Sequence, residues 1–238
     1  MVDFSLLITR RSVLKLSLAG WLGQINPWTY GGEAGPEQWA ELSADYHTCG
    51  DGVRQSPIDL DISKSIPDAV VFDYDAIPID LLNNGRTLQQ AGKTGGTLTL
   101  DNQVYQLRQF HFHTPSEHTY RGVHYPMELH LVHRHLTTKA LAVVGIWIKS
   151  GAKQPELDIL SQYLPQQPGD RIKAAEQVNP AHLLPVNHSL VRYSGSLTTP
   201  PCSEGVTWLV MTTPIEASAQ QIETFHQLLG NNARPLQR

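Results

Sequence analysis

The sequence is short of cysteines, of long hydrophobic runs and of long basic runs, and each shortage excludes something. Two cysteines among 238 residues leave room for one disulfide at most. No stretch of about 18 or more apolar residues occurs, so we expect no ordinary helix that spans a membrane. Because no long basic run occurs and the net charge is −4, nucleic acid is not an expected partner. Internal repeats and low-complexity segments are also lacking.

The composition and the hydrophobic patterns predict one large domain rich in β-structure. Hydrophobic residues make up 40% of the chain, which is enough for a substantial core in a single domain. Strands are predicted at 69–72, 97–100, 103–113, 127–132, 141–147 and 206–211. Helices are predicted at 155–164 and at 219–229, where Ser218 and Gln221 have the spacing of a capping box. Many short strands with two modest helices indicate a mainly β, single-domain fold.

The N-terminal stretch differs from the rest of the chain. Arg10 and Arg11 precede a modest apolar run from Leu16 to Leu22, a pattern similar to a twin-arginine export signal. We therefore expect residues 1–25 to form an export signal and residues 26–238 to form the folded domain. The protein would then be exported and located in the periplasm or outside the cell.

The two cysteines are far apart in the sequence, at Cys49 and Cys202. An even number of cysteines in an exported protein favours a disulfide between them. Closing so long a loop would stabilise the fold by about 4–5 kcal/mol if the effect is chain entropy alone. The alternative is that the two residues are unrelated buried thiols.

Three histidines lie on two neighbouring predicted strands. Side chains alternate between the two faces of a strand, so His111 and His113 share one face. On the following strand Glu128, His130 and Val132 also share a face. If the two strands pair, three imidazoles converge on the same side of the sheet.

Three neutral imidazoles are the ligand set of a catalytic Zn²⁺ site. Zinc prefers tetrahedral coordination with nitrogen at about 2.0–2.1 Å, and catalytic sites keep the fourth position for water. No cysteine lies near these histidines in the sequence, so a closed structural zinc site is not expected. For any single histidine, the alternative is a hydrogen-bonded core residue. No His-Glu-x-x-His helix or Ser-His-Asp arrangement indicates a protease or an esterase.

Several further motifs occur in a consistent order between Trp28 and the end of the chain. They lie at 55–58, 83–85, 109–113, 116–118, 128–133, 141–145, 196–202 and 234–236. With these motifs the sequence resembles the alpha-class carbonic anhydrases, in particular exported bacterial-type members with one disulfide. The resemblance implies a large twisted, mostly antiparallel sheet of about ten strands with a few short peripheral helices. It also implies a metal at the bottom of a conical cleft.

The resemblance assigns the metal ligands and the reaction. It implies that His111, His113 and His130 bind Zn²⁺. A zinc-bound hydroxide would attack CO₂ and give bicarbonate and a proton, reversibly. The pKa of about 7 for such a zinc-bound water is a value established for carbonic anhydrase itself. Residues 26–238 would then be the catalytic domain, with CO₂ and bicarbonate as its small-molecule partners.

The resemblance also assigns the residues that orient the three ligands. A ligating imidazole usually donates its other N–H to an acceptor that holds the ring in place. Gln109 would orient His111 and Glu128 would orient His130. The ring of His113 would donate to a backbone carbonyl near Asn232.

Further roles in the cleft are carried over by position. Thr198 would accept a hydrogen bond from the attacking hydroxide and donate one to Glu117, which orients the nucleophile. Thr199 would line the same pocket. The apolar niche for CO₂ would consist of Val132, Val143, Leu197 and Trp208. Cys49 and Cys202 match a pair that is bridged in exported members.

One position departs from the pattern of the fast members of the family. They carry a histidine that shuttles protons just after Asn-Asn-Gly, where this chain has Arg86. An arginine stays protonated and cannot relay a proton. His47, His124 and His188 are open as substitutes.

Two other functions are weighed against the enzyme. One is a non-catalytic binding module of the same fold, and the other is ester hydrolysis as a side activity. The complete histidine set argues against the first. We expect a monomer or a homodimer without a stable membrane span.

Overall fold

The computed structural model describes residues 28–66, 70–92 and 95–238. The predicted export signal and the first two residues of the predicted domain lie outside these ranges. Within them, no helix has both the length and the apolar character needed to cross a membrane.

The chain forms short helices around a large set of strands. The α-helices are α1 (Trp39–Leu42), α2 (Thr48–Asp51), α3 (Pro155–Ser161) and α4 (Ala219–Leu229). The strands are β1 (Asp59–Leu60), β2 (Val70–Asp73), β3 (Ile77–Asn83), β4 (Leu88–Ala91), β5 (Thr97–Leu100), β6 (Gln103–His113), β7 (Thr119–Tyr120), β8 (Val123–His124), β9 (Met127–His135), β10 (Leu141–Ser150), β11 (Arg171–Val178), β12 (Leu190–Ser196), β13 (Glu204–Met211) and β14 (Ile215–Ala217). Single 3₁₀ turns lie at Gly32–Ala34, Ala44–Tyr46, Ile62–Lys64 and Pro180–Leu183.

An eleven-stranded sheet dominates the described part of the chain. Its main order is β11-β3-β4-β6-β9-β10-β13-β12, with β5 beside β6, β2 beside β5 and β14 beside β10. The sheet is mixed, because β10 runs parallel to β13 and to β14 while its other described pairs are antiparallel. The prediction of a mainly β fold around a large, mostly antiparallel sheet is therefore confirmed. A separate small sheet contains β1, β7 and β8.

Two apolar clusters cover opposite faces of the central strands. On β9 and β10, Leu131 and Val144 point into the larger cluster, which α3 and α4 close with Leu157 and Phe225. The alternate residues of β10 and β13, such as Val143, belong to the smaller cluster. This alternation is the two-residue period of a strand that is buried on both sides.

A β-bulge in β6 determines which residues of this strand reach the core. Its register against β9 shifts between Leu107 and Gln109. In a regular strand Leu107 and Phe110, which are three residues apart, would point to opposite faces. With the bulge, both side chains lie in the larger cluster and are fully buried.

The predicted local elements are largely confirmed. The hairpin of β5 and β6 turns at Asp101 and Asn102, both with positive φ. The helix predicted at 219–229 is α4, and its capping box between Ser218 and Gln221 is formed. The helix predicted at 155–164 ends earlier, at Ser161, because the next N–H groups bond to carbonyls only three residues back.

The predicted disulfide is present. Cys49 in α2 and Cys202 are joined with an S–S distance of 2.07 Å. Their side chains pack with Trp28 and Trp39 in a third, smaller apolar cluster. The alternative of two unrelated thiols was wrong.

Candidate metal centre

Pairing of β6 with β9 brings the three histidines together. His111 lies directly opposite His130 in the register, and His113 follows two residues later on the same face. The ring centroids are 5.0 Å apart for His111 and His113, 5.2 Å for His111 and His130, and 4.6 Å for His113 and His130. One ring nitrogen of each lies within 4.8 Å of the others, so the set could hold a metal ion. The predicted convergence is confirmed.

On β6, both histidines use Nδ1 for an outer hydrogen bond. His111 Nδ1 is 2.8 Å from Gln109 Oε1, and His113 Nδ1 is 2.8 Å from the carbonyl oxygen of Asn232. Both oxygens can only accept, so each Nδ1 carries the proton and each Nε2 keeps a free lone pair. The two rings therefore present Nε2 as the available ligand atom.

On β9, His130 uses the opposite nitrogen. Its Nε2 is 2.9 Å from Glu128 Oε1, a carboxylate that can only accept when ionised. Nε2 therefore donates, and Nδ1 keeps the free lone pair. Together the three rings offer two Nε2 atoms and one Nδ1 atom.

The ring of His113 gives a direct test of whether a metal would fit. Its side chain is 1% exposed, and its Nε2 has no hydrogen-bond partner among the described residues. A buried polar atom without a partner is costly and calls for an explanation, such as an ion that it binds. The donor set therefore fits a metal ion that takes three nitrogen ligands.

Burial favours the neutral form of two of the rings, those of His111 and His113. Burial, and then the charges of His113 and His130, hold the pKa of His111 well below its usual value. Burial likewise lowers the pKa of His113. Neutral imidazole is the form that binds a metal.

Glu128 is the centre of a buried hydrogen-bond network. Its Oε1 is 2.7 Å from His118 Nδ1, and its Oε2 accepts from the backbone N–H groups of Glu117 and His118 at 2.9 and 2.8 Å. Burial by itself would raise the pKa of Glu128, but the charges of His118 and His130 and their hydrogen bonds bring it well below the usual value. The ionised carboxylate therefore accepts the hydrogen bond from His130 Nε2 and holds that ring in place.

His118 extends this network away from the metal centre. Its Nε2 is 2.6 Å from the hydroxyl of Tyr193, which donates to Ser56 Oγ at 2.9 Å. The atoms of His118, Glu128 and His130 lie close enough to be a second candidate metal group. The hydrogen bonds of both histidines to Glu128 Oε1 already account for that proximity.

A glycine in β10 makes room for Glu128. Gly145 lies opposite His130 in the register. A Cβ at this position would lie 2.9 Å from Glu128 Oε1 and 3.3 Å from the side chain of Val210. Only a residue without a side chain leaves the carboxylate in its observed place.

Glu117 is buried beside the centre with one oxygen still available. Its Oε1 accepts from the backbone N–H of Arg234 at 2.9 Å. Its Oε2 lies 3.9 Å from His130 Nδ1 and has no hydrogen-bond partner among the described residues.

Thr198, 6% exposed, lies in the loop after β12. Donation from Thr198 to Glu117 therefore stays a prediction, as does the role of Thr199, whose carbonyl accepts from the N–H of Cys202.

The four residues predicted to form the apolar niche lie together. Val143 is paired with Val132 on one side and with Trp208 on the other, and Leu197 packs against the same smaller cluster. The ring of Trp208 is 4.8 Å from that of His130. This places an apolar surface beside the metal centre.

Arg86 lies in the turn after β3. Its guanidinium is 4.1 Å from the ring centroid of Trp28, and its Nε donates to the Trp28 carbonyl at 3.2 Å. Its own carbonyl accepts from Asn232 Nδ2 at 3.0 Å.

His188 was suggested as a substitute proton shuttle. It packs against Phe72, which belongs to the apolar cluster on the face of the sheet opposite the three candidate metal ligands.

Several residues of the site were not assigned a role by sequence reasoning. His118 lay inside a matched motif, but nothing in its spacing showed that it shares Glu128 with His130. Arg234 also lay in a motif, and its guanidinium bonds to Gln55, Ser56 and Cys49. Such contacts join segments far apart in the chain, so local patterns carry no signal for them.

Fold and site together define a class of protein: one large mixed sheet that carries, on its central strands, three imidazoles that could hold a metal ion. A family model described as eukaryotic-type carbonic anhydrase matches residues 34–238. The carbonic anhydrase of Nostoc sp. is 46% identical over 218 residues, covering 88% of this chain and 82% of the relative. That of Klebsiella pneumoniae is 41% identical over 232 residues, covering 96% and 94%. The chain belongs to the eukaryotic-type carbonic anhydrase family.

A solved structure agrees with this assignment. The alpha-carbonic anhydrase of Thermovibrio ammonificans, in complex with the inhibitor sulfanilamide, aligns with a TM-score of 0.82 at 41% identity. The alignment covers 90% of this chain and 96% of that chain. The predictions of the family and of a carbonic anhydrase enzyme are confirmed.

Proposed function

We propose that the protein is a zinc enzyme that catalyses the reversible hydration of CO₂ to bicarbonate and a proton. The observation that carries the proposal is the set of three free ring nitrogens, of which His113 Nε2 is buried without a partner. Membership of the carbonic anhydrase family supports the reaction. The intact histidine set argues against a non-catalytic binding module.

Zinc is the metal that these ligands suit best. Three imidazole nitrogens leave a tetrahedral ion with one open position. When bound, Zn²⁺ would lower the pKa of a water to about 7, a figure established for carbonic anhydrase itself. Gln109, the carbonyl of Asn232, and Glu128 would hold the rings of His111, His113 and His130 in the required tautomers.

Thr198 and Glu117 would orient the attacking oxygen. Because Glu117 Oε1 is already occupied by the N–H of Arg234, its free Oε2 is the acceptor available to the Thr198 hydroxyl. A hydroxyl that donates to Glu117 can only accept from the nucleophile, which turns a lone pair of the nucleophile toward CO₂. Thr199 would line the same pocket.

The niche of Val132, Val143, Leu197 and Trp208 would hold CO₂. This linear molecule has no net dipole and needs an apolar surface near the attacking oxygen. The contact of Trp208 with the ring of His130 supports this placement.

Residues 1–25 would direct export, and residues 26–238 would form the catalytic domain. The disulfide between Cys49 and Cys202 supports an oxidising location such as the periplasm or the outside of the cell. We propose a monomer or a homodimer as the assembly.

The direct test is stopped-flow CO₂ hydration with zinc-loaded protein and with a chelated sample. His113→Ala should lose both bound zinc and hydration, because one of three ligands is removed. His135→Ala, a histidine at the end of β9 outside the triad, is the matched control and should keep both. Normal zinc content in His113→Ala would contradict the ligand assignment. One bound zinc without hydration in the unaltered protein would instead favour the binding module.

A further inference from the structure

Arg86 lines an open pocket whose wall contains no proposed metal ligand and no residue of the apolar niche. The pocket has a volume of about 630 Å³, and its wall includes Trp28, Tyr30, Asn84, Arg86 and Asn231. It is separate from the apolar niche for CO₂. Among the lining residues that the structure describes, Arg86 is the only charged one.

The guanidinium of Arg86 is held in place but not neutralised. It stacks on Trp28 at 4.1 Å, and its Nε donates to the carbonyl of that residue. The N–H of Arg86 donates to Asn84 Oδ1 at 2.9 Å, so the backbone is anchored too. No acidic side chain pairs with Arg86 among the described ion pairs, and its two terminal NH₂ groups have no hydrogen-bond partner in the described part of the chain.

The pocket is linked to the metal centre by two contacts. Asn232 donates from Nδ2 to the carbonyl of Arg86 and accepts on its own carbonyl from His113 Nδ1. Tyr30, which lines the pocket, is affected by the charge of Arg86 in the pocket and by the charge of Glu117 beside the metal centre. Its pKa is raised well above the usual value by burial and by the charge of Glu117, and lowered in part by Arg86.

A charged guanidinium with free terminal N–H groups is the side chain best suited to a small oxyanion, which it can bind through two parallel hydrogen bonds. Stacking on an aromatic ring further orients such a group. We propose that Arg86, stacked on Trp28, binds a small oxyanion base such as inorganic phosphate, and that this base accepts the proton released by CO₂ hydration.

The proton role rests on the proposed function. Hydration of one CO₂ by one water yields one bicarbonate and one proton. Hydrogen phosphate dianion takes that proton and leaves as dihydrogen phosphate, so atoms and charge balance. Arg86 itself stays protonated and transfers nothing. Its part is to hold the base near the centre.

The first test measures binding to the metal-free protein, where phosphate cannot act as a metal ligand. The ¹⁵N–¹H signal of Arg86 Nε, assigned by its loss in Arg86→Gln, is followed as inorganic phosphate replaces chloride at constant ionic strength. We expect a saturable shift. Phosphate binding measured by ³¹P NMR should weaken at least about tenfold in Arg86→Gln, because the amide has no charge and cannot replace both charge-assisted hydrogen bonds.

Arg121 provides the matched control. Its guanidinium also lies over an aromatic ring, 5.2 Å from the centroid of Tyr120, but it lines a different pocket that contains Asp59 and Asp61. Arg121→Gln should bind phosphate as the unaltered protein does. A shift that does not saturate, or equal phosphate affinity in Arg86→Gln, would overturn the site.

The second test separates the site from the reaction. CO₂ hydration by zinc-loaded protein is measured at low concentrations of phosphate and, separately, of imidazole, which carries no negative charge. The ratio of phosphate-supported to imidazole-supported turnover should fall about tenfold in Arg86→Gln and stay constant in Arg121→Gln. An unchanged ratio in Arg86→Gln would overturn the proton role. If no buffer supports hydration, the proposed function itself fails, and the metal-free titration still decides whether the oxyanion site exists.

Discussion

At the scale of single residues, the outer hydrogen bonds of the three imidazoles determine the geometry of the centre. Two rings donate from Nδ1 and one donates from Nε2, so the free lone pairs come from different sides of the ring. The three acceptors are chemically distinct: an amide side chain, a backbone carbonyl and a carboxylate. Each one selects a tautomer, which is why replacing an acceptor would affect metal binding without touching a ligand.

Thr198→Ala tests the orienting hydroxyl. We expect zinc to stay bound and turnover to fall about 10²-fold, which corresponds to one oriented hydrogen bond of about 3 kcal/mol. Zinc content and stopped-flow hydration are measured on the same sample. Thr198→Ser keeps a hydroxyl and should recover most of the turnover. Unchanged turnover in Thr198→Ala would remove this residue from the mechanism.

His133 couples stability to pH. It is fully buried, and its Nε2 is 2.7 Å from the hydroxyl of Tyr74. Burial lowers its pKa from 6.5 to about 4. The unfolded chain therefore binds a proton at a higher pH than the folded one, and stability falls as the pH drops from 6.5 towards 4.

Protonation of His133 is expected to lower the free energy of unfolding by about 3 kcal/mol between pH 6.5 and pH 4. Urea unfolding at several pH values measures it, with His133→Gln as the comparison that removes the titrating group. The variant should show a shallower decline in the free energy of unfolding on the acid side. Identical slopes for the two proteins would show that His133 does not carry the effect.

At the scale of secondary structure, the site depends on how β6, β9 and β10 are aligned. The bulge in β6 lets Leu107 and Phe110 share the larger core while Gln109 and His111 face the metal side. On β10, Gly145 leaves the space that the Glu128 carboxylate occupies. The strands thus position the ligands through register and through one missing side chain.

Gly145→Ala tests this space. The added methyl would lie 2.9 Å from Glu128 Oε1, so the carboxylate must move and its bond to His130 must weaken. We expect zinc affinity to fall about 10- to 100-fold, as is typical for loss of an orienting partner. Competition with a chelator measures it. Gly31→Ala, where a Cβ would meet nothing within 4 Å, should leave the affinity unchanged. Equal affinity in both variants would contradict this role.

At the scale of the whole molecule, distant segments meet around the disulfide and the C-terminal residues. Arg234 is 1% exposed, and its guanidinium donates to Gln55 Oε1 and to the carbonyls of Ser56 and Cys49. Burial lowers its pKa to about 10. The N–H of the same residue donates to Glu117, so the end of the chain is tied to the metal centre.

Replacing both cysteines by serine tests the contribution of the disulfide. The bridge spans 153 residues, and the chain-entropy account assigns about 5 kcal/mol to a loop of this length. We expect the free energy of unfolding of Cys49→Ser/Cys202→Ser to fall by up to that amount in urea. Treating the unaltered protein with a reductant should give a similar loss. A change below about 1 kcal/mol would show that the bridge contributes little to stability.

The sequence by itself determined the features that depend on neighbours along the chain. Alternation placed His111 and His113 on one face, the turn at Asp101 and Asn102 predicted the hairpin, and the Ser218 and Gln221 pair predicted the start of α4. The order of the motifs predicted the family and the ligand set. These signals are local because side-chain periodicity, turns and caps involve only residues a few positions apart.

The tertiary structure alone decided the features that depend on distant partners. The bulge at Arg108, the parallel pairing of β10 with β13, the sharing of Glu128 by His118 and His130, and the stacking of Arg86 on Trp28 all join separate segments. None of them has a local pattern, because each depends on which surfaces become neighbours once the core has packed.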